Sequence, residues 1–332
     1  MNKPFFSILV PVYNVSKYLD ECLNSLVSQT FDDFEIILLD DGSTDDSGRM
    51  CDEWQKKDKR IHVIHRENRG LFTTRLDELE AANGEYVVFV DSDDYVAVNL
   101  LEFLFEYVKN KEYDVVTYGR YLINDKEEKK RIELAVYDDG KVFEGKNRDV
   151  LLSRMSENND LTSIWSKCVK KKLLLDIIPQ LRQYVGVNSG EDKIFTASIF
   201  SNYQKLVYTD EPLYYYRWND MGISQITKVK YFPDSLICRK ALKHFIETSE
   251  CDNKALVLQR FWDREWYATL FLLKEYLRFD IDKPTYKAVF KKANDSIKQY
   301  GNCKLKYKII LFFASPVFYS VLKFIIKKIW PV

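Results

Sequence analysis

FSILVPVYN at residues 6–14, FEIILLDDGSTDDS at 34–47 and EYVVFVDSDD at 85–94 share one pattern: a short, almost continuous apolar run that ends in an aromatic or in paired acids. A strand with one wet face alternates apolar and polar residues, so runs as apolar as these belong to strands buried on both faces. Between them the period changes. From about Ser16, Leu19, Cys22, Leu23 and Leu26 fall on one helical face, and Met50, Cys51 and Trp54 do so after the second run. Ser43 or Thr44 is expected to cap that second helix. Residues 60–65 read as a third strand and 73–82 as a helix. Strands alternating with helices predict an α/β fold, a mostly parallel sheet flanked by helices.

Downstream the pattern is mixed. Residues 115–123 read as a strand, 125–131 as a solvated turn, and 147–155 and 189–200 as helices. From 233 to 300 the chain reads as a helical bundle rich in aromatics, with Trp262, Trp266 and Leu273 on one face. No internal repeat is present. The 332 residues suffice for one large domain with an appendage. Fifty basic and fifty acidic residues leave no net charge, which excludes the electrostatic footprint of a nucleic-acid binder. Six scattered cysteines form no C-x-x-C pair and histidines number three, so a zinc site is not expected and the thiols read as buried in a reducing compartment. The first residues run straight into a strand without a signal-peptide core, which places the expected catalytic part in the cytoplasm.

In open parallel sheets, ligands bind beyond the carboxyl ends of the strands. Tyr13, the Asp40–Asp41 pair and Asp91-Ser92-Asp93-Asp94 all stand at such ends. An aromatic ring can stack on a nucleobase, a carboxylate can accept its imide N–H, and two carboxylates around one residue can hold a hard divalent cation against a diphosphate. Taken singly, Asp-Gly-Ser-Thr is an ordinary turn, Asp-Ser-Asp-Asp an ordinary loop, and Glu191-Asp192 the acidic first turn that a helix dipole favours. Their order and placement together describe a nucleotide-diphosphate site.

The stretch FFSILVPVYNVSKYLDECLNSLVSQTFDDFEIILLDDGSTDDS resembles the start of the glycosyltransferase family 2 domain, which has the GT-A fold, and GEYVVFVDSDD resembles that family's D-x-D region. IWSKCVKKKLL, GEDKIF and EPLYYYR…GIS resemble segments of its bacterial polysaccharide branch, so the likeness covers roughly residues 5–225. By this resemblance, Pro11 and Tyr13 would line the nucleobase pocket and Asp41 would accept from uracil, with Asp40 nearby. Asp91 and Asp93 would serve Mn²⁺ or Mg²⁺, the diphosphate and the ribose, Asp93 as the direct metal ligand. Asp192 matches the general base of an inverting transfer from a nucleotide-diphosphate sugar, expected to be a UDP-sugar, to a glycan or lipid-linked acceptor. The expected pathway is capsule, exopolysaccharide or other cell-surface glycan synthesis.

One stretch departs from the pattern. Where the family often shows Ala-Arg-Asn-x-Gly, this chain has Thr74-Arg75-Leu76-Asp77-Glu78, keeping the arginine and losing Asn and Gly. Arg75 and Arg69 are candidates for diphosphate or packing contacts. Trp165 and Lys167 match a motif near the acceptor side, but a core tryptophan beside a surface lysine fits as well. Arg217 is a candidate to reach the leaving diphosphate, while the tyrosines before it read as packing. Two other classes share such a crevice: a nucleotidyltransferase, which would want a glycine-rich basic loop that Pro11–Lys17 is not, and a non-catalytic nucleotide- or glycan-binding protein.

Three domains are expected: a catalytic domain over 1–225, a helical extension over 226–300 and a basic tail over 301–332. The tail has no acidic residue. Lys304, Lys306 and Lys308 precede an apolar run too short to span a bilayer and broken by Pro316. Phe318, Leu322, Ile325 and Ile329 would share one helical face with Lys323 and Lys327 opposite, which suits an interfacial anchor on the inner face of the cell membrane; docking on the protein's own core is the alternative. The enzymatic reading requires that Asp41, Asp93 and Asp192 converge with Tyr13 on one cleft.

Overall fold

The computed structural model describes residues 3–265 apart from 111, 124–128, 133–135 and 218–231, together with 283, 284, 286, 287, 290, 291 and 315. Its first half runs β1 (Phe6–Val12), α1 (Ser16–Val27), β2 (Phe34–Asp40), α2 (Ser47–Lys57), β3 (Ile61–His65), α3 (Leu71–Ala81) and β4 (Tyr86–Phe89). There follow β5 (Tyr95–Val96), α4 (Leu100–Val108), β6 (Val115–Thr117), β7 (Gly119–Ile123), β8 (Lys129–Ile132) and β9 (Lys141–Glu144). The remainder is α5 (Arg148–Glu157), β10 (Lys167–Lys170), α6 (Lys171–Leu181), α7 (Glu191–Asn202), β11 (Lys205–Tyr208), β12 (Pro212–Arg217) and α8 (Phe232–Thr248), followed by a helical stretch at 254–265.

The large sheet has the strand order β3-β2-β1-β4-β10-β6-β11-β9. β1 pairs in parallel with β2 and β4, and β2 in parallel with β3; only β10 and β9 run against the others. The near-continuous apolar runs are explained by burial on both faces. Leu9, Ile37, Val87 and Phe89 enter the core beneath α3, α5, α6 and α7. Their neighbours Ile8, Val10, Ile36, Leu38 and Val88 enter the opposite core with residues of α1, α2 and α4. From β1 the chain builds β2 and β3 on one side and then crosses to β4 on the other. The strand order therefore reverses between β1 and β4, where an open α/β sheet leaves its ligand crevice.

The structure corrects three local expectations. Residues 115–123 are two strands rather than one, because the chain changes sheets: β6 lies in the large sheet and β7 in a second sheet ordered β5-β12-β7-β8. Gly119 sits at that crossing, where a Cβ would come within 2.2 Å of the Asp210 carbonyl oxygen, so no other residue fits. Part of the expected 125–131 turn is strand, since Lys129–Ile132 forms β8 against β7. Ser43 and Thr44 do not cap α2, which begins at Ser47 with Asp46 at its N-cap position. They instead tie β1 to β2: the Asn14 amide donates to Ser43 Oγ at 3.1 Å, and the Thr44 amide donates to Asn14 Oδ1 at 2.8 Å.

Among the described residues, no helix is long and apolar enough to cross a membrane. The amphipathic anchor read in residues 301–332, and Trp266 and Leu273 of the expected bundle, lie outside the described residues.

Candidate functional site

The crevice is built where β1, β2 and β4 end side by side. The Asp41 amide donates to the Val12 carbonyl at 2.9 Å and the Val90 amide to the Leu9 carbonyl at 3.0 Å, carrying the pairing one residue past each strand. Ser92 Oγ donates to the Pro11 carbonyl at 2.7 Å, which locks the acidic turn after β4 onto the end of β1. Pro11 is buried in this lock, and Tyr13 stands beyond it with 49% of its surface exposed. An exposed aromatic of that size at a strand end is available to stack on a ligand.

Asp40 and Asp41 are adjacent in sequence and diverge in space. Asp40 accepts from the Ser43 amide at 3.0 Å and meets His65 Nδ1 at 2.9 Å. A Cβ on Gly48 would lie 2.8 Å from its Oδ2, so Asp40 is packed under the start of α2. Burial works upward on this carboxyl, but hydrogen bonds from Ser43 and His65 outweigh it and hold it below the usual range. Asp41 faces α3. It accepts from the amides of Arg69 at 2.9 Å and Gly70 at 2.8 Å and from Arg66 Nε at 2.7 Å. Arg66 in turn donates to Thr74 Oγ1 at 2.7 Å and to Asp77, so Asp41 organises the loop leading into α3.

Arg75, one turn along α3, is almost wholly buried and joins the two distant acid groups. Its Nη2 donates to Asp91 at 2.8 Å, and its Nη1 donates to Asp192 and, at 3.3 Å, to Glu191. Asp91 and Asp192, a hundred residues apart in sequence, thus share one guanidinium. Glu191 and Asp192 reach it because α7 starts there. Gly190 ahead of them takes φ +83°, a left-handed conformation that glycine adopts without strain, and a Cβ at this point would lie 3.0 Å from Cys238 Sγ. One cation cannot neutralise three acids. Burial pushes the carboxyls of Asp91 and Glu191 upward, with repulsion from Asp192 adding to both.

Asp93 and Asp94 are fixed by β12. Tyr214 Oη donates to Asp94 Oδ2 at 2.7 Å and accepts from the Asp91 amide at 3.1 Å, while the Arg217 amide donates to Asp94 Oδ1 at 2.7 Å. Arg217 Nε donates to the Asp93 carbonyl at 3.1 Å, and its guanidinium pairs with Glu21 and lies over the rings of Tyr18 and Tyr95. Arg217 is therefore held at the rim of the crevice. Trp165 is stacked between Tyr214, at 4.3 Å between ring centroids, and Tyr216, at 5.5 Å. Lys167 is buried rather than on the surface. Its ammonium donates to the carbonyls of Leu161 at 2.9 Å and Ser163 at 2.6 Å, and burial lowers it to about 7.

The structure thus brings together Pro11, Asp91, Asp93, Arg75 and Asp192, reaches Asp41 through the Arg66 network, and turns the Asp40 carboxylate away. Arg66 has no mark in the sequence, since its partners Asp41 and Thr74 lie 25 and 8 residues away. Glu78 stands out only as a departure from the family pattern. Asp94 is legible only as part of the acidic turn and Tyr214 only as packing; that the two meet, 120 residues apart, no local pattern reveals.

Residues 7–164 match the family model described as glycosyl transferase family 2. The chain is 32% identical over 232 residues to glycosyltransferase GlyA of Streptococcus pneumoniae serotype 4, covering 68% of this chain and 32% of that protein. It is also 32% identical over 223 residues to the uncharacterized glycosyltransferase EpsJ of Bacillus subtilis strain 168, covering 67% and 64%. The chain spans about a third of the first relative and just under two thirds of the second. Among solved structures, S. aureus TarS 1–349 in complex with UDP superposes with a TM-score of 0.70 at 20% identity, covering 98% of this chain and 92% of that one. By sequence the chain belongs to glycosyltransferase family 2, and its architecture is the GT-A fold.

Proposed function

We propose that the protein is a glycosyltransferase that moves a sugar from a nucleotide-diphosphate sugar, a UDP-sugar, to a hydroxyl of a cell-surface glycan or its lipid-linked precursor, with inversion. One observation carries this reading: Arg75 holds Asp91, at the switch point of the sheet, together with Asp192 at the N-terminus of α7. Read as a donor-side acid and a base, these two carboxylates stand on one guanidinium, which supports the assignment. Tyr13 offers a stacking face to the nucleobase, and Asp41 and the amide-rich loop before α3 bound that end. Asp192 accepts the proton of the acceptor hydroxyl as its oxygen attacks the anomeric carbon; the bond from that carbon to the diphosphate oxygen breaks and UDP departs. The UDP of the solved TarS complex supports the choice of nucleotide.

The donor set suits a hard divalent cation, Mn²⁺ or Mg²⁺. Asp91 and Asp93 offer carboxylate oxygens on either side of a turn pinned by Ser92, and diphosphate oxygens would complete the shell. Among the described residues, no group of three or more His, Cys, Asp and Glu side chains is arranged to hold a metal unaided. Bound there, the cation would offset the charge of the leaving diphosphate. The peripheral location on the inner membrane face rests on the sequence of the tail.

The test is UDP release from a panel of UDP-sugars with Mn²⁺, for the wild type and Asp192→Asn. Wild type is expected to hydrolyse one donor slowly and the variant to lose that activity while still binding UDP. Donor binding without turnover on any acceptor would favour a binding protein, and pyrophosphate formed from UTP and a sugar phosphate would favour a nucleotidyltransferase.

A further inference from the structure

Glu78 stands where the family pattern has glycine. It lies one turn after Arg75 on the inner side of α3 and is wholly buried. Neither of its carboxylate oxygens has a hydrogen-bond partner, and neither does Arg75 Nε, the one guanidinium nitrogen not turned toward Asp91, Glu191 and Asp192. Burial pushes the Glu78 carboxyl well above the usual range, against the pull of Arg75. An acid buried without a partner costs stability that an apolar residue would not, and packing alone does not account for it.

The arrangement gains a purpose when the front of Arg75 is considered. Asp91 and Asp192, which hold the guanidinium, are the two groups that substrates would engage. If both turned away, a buried positive charge would be left with Glu191 alone, at 3.3 Å. We infer that Glu78 is a positioning residue, a reserve counter-ion behind Arg75 that takes over the guanidinium when Asp91 and Asp192 engage donor and acceptor. In that exchange any proton on Glu78 passes to solvent, Arg75 stays cationic and in place, and the base is released from its ion pair. The identity of the ligands rests on the glycosyltransferase reading; the ion-pair exchange does not.

The experiment is a thermal-unfolding cycle of four full-length proteins without ligand: wild type, Glu78→Gln, Asp91→Asn/Asp192→Asn, and the triple variant. Glu191 is present in all four and cancels. Glu78→Gln is expected to melt no lower than wild type, since it removes an ionisable group from the core. The triple variant is expected to melt about 5 °C or more below the sum of the separate effects. Additive effects overturn the inference, as does a Glu78→Gln protein that melts lower or fails to fold, or an Asp91→Asn/Asp192→Asn protein that fails to fold while Glu78 is present. A second arm measures UDP release. Glu78→Gln is expected to lower kcat about tenfold with the donor KM within about twofold, and Glu78→Asp to recover part of the loss. Unchanged kcat in Glu78→Gln overturns the inference. If wild type releases no UDP from any UDP-sugar, the transferase reading fails and the melting cycle alone decides the role of Glu78.

Discussion

Asp40 and Asp41 at the end of β2, and Asp91 and Asp192 across β4 and α7, are the same residue type, and the protein uses them differently. At β2 the partners are chiefly backbone amides: Ser43 for Asp40, Arg69 and Gly70 for Asp41. An amide cannot move without moving the chain, so these carboxylates are part of the scaffold. At β4 and α7 the partner is the side chain of Arg75, outnumbered by its acids. A surplus of carboxylates on one guanidinium can be redistributed when a ligand arrives. Amide-satisfied acids set the shape of the crevice; the crowded ion pair provides its exchangeable chemistry.

The largest effect that can break this contrast is the loss of the base. Asp192→Asn is expected to lower kcat for UDP release about 10³-fold, within the range general-base catalysis supplies, with UDP affinity changed less than about threefold by calorimetry. A variant that keeps its rate would make Asp192 scaffold like Asp40. Next is Arg75→Met. It leaves buried carboxylates without their counter-ion and is expected to cost about 3–5 kcal/mol in denaturant unfolding.

Asp41→Ala sharpens the other side of the comparison. The Arg69 and Gly70 amides and Arg66 would lose their acceptor, with an expected cost of about 1–3 kcal/mol and weaker UDP binding as the loop before α3 loosens. Asp40→Asn should lower stability while leaving the donor KM within about twofold, because its oxygens serve Ser43 and His65 rather than the crevice.

The smallest effect is a pH dependence. The folded-state carboxyl of Glu191 is raised to about 7, by burial first and by Asp192 second. A raised acid holds its proton in the folded state after the unfolded chain has lost it. Its contribution therefore favours folding at low pH and is lost as pH rises from the usual carboxylate range through about 7. Glu191→Gln has no proton to lose. Its melting temperature should gain on wild type between about pH 5 and about pH 8, and a constant difference across that range would show that Glu191 is not held protonated.

The apolar runs at 6–12, 34–40 and 86–89 fixed the strands of the sheet, because burial on both faces leaves a pattern that each segment carries by itself. Gly190, Glu191 and Asp192 likewise announced the start of a helix. The second sheet was not legible. β6 continues into β7 through Tyr118 and Gly119 with no local mark of a break, and only the approach of Asp210 shows why glycine stands there. Ser43 and Thr44 had the chemistry of a helix cap, and a long-range partner, Asn14, claimed them instead.

Sequence by itself determined which residue types stand at strand ends, and therefore that acids and an aromatic gather at one edge of a parallel sheet. Only the tertiary structure decided which acids are bound by the backbone and which compete for Arg75. That choice depends on where α3 and α7 dock, on residues far apart in the chain, and on how much water is excluded around one guanidinium. Periodicity carries none of these quantities.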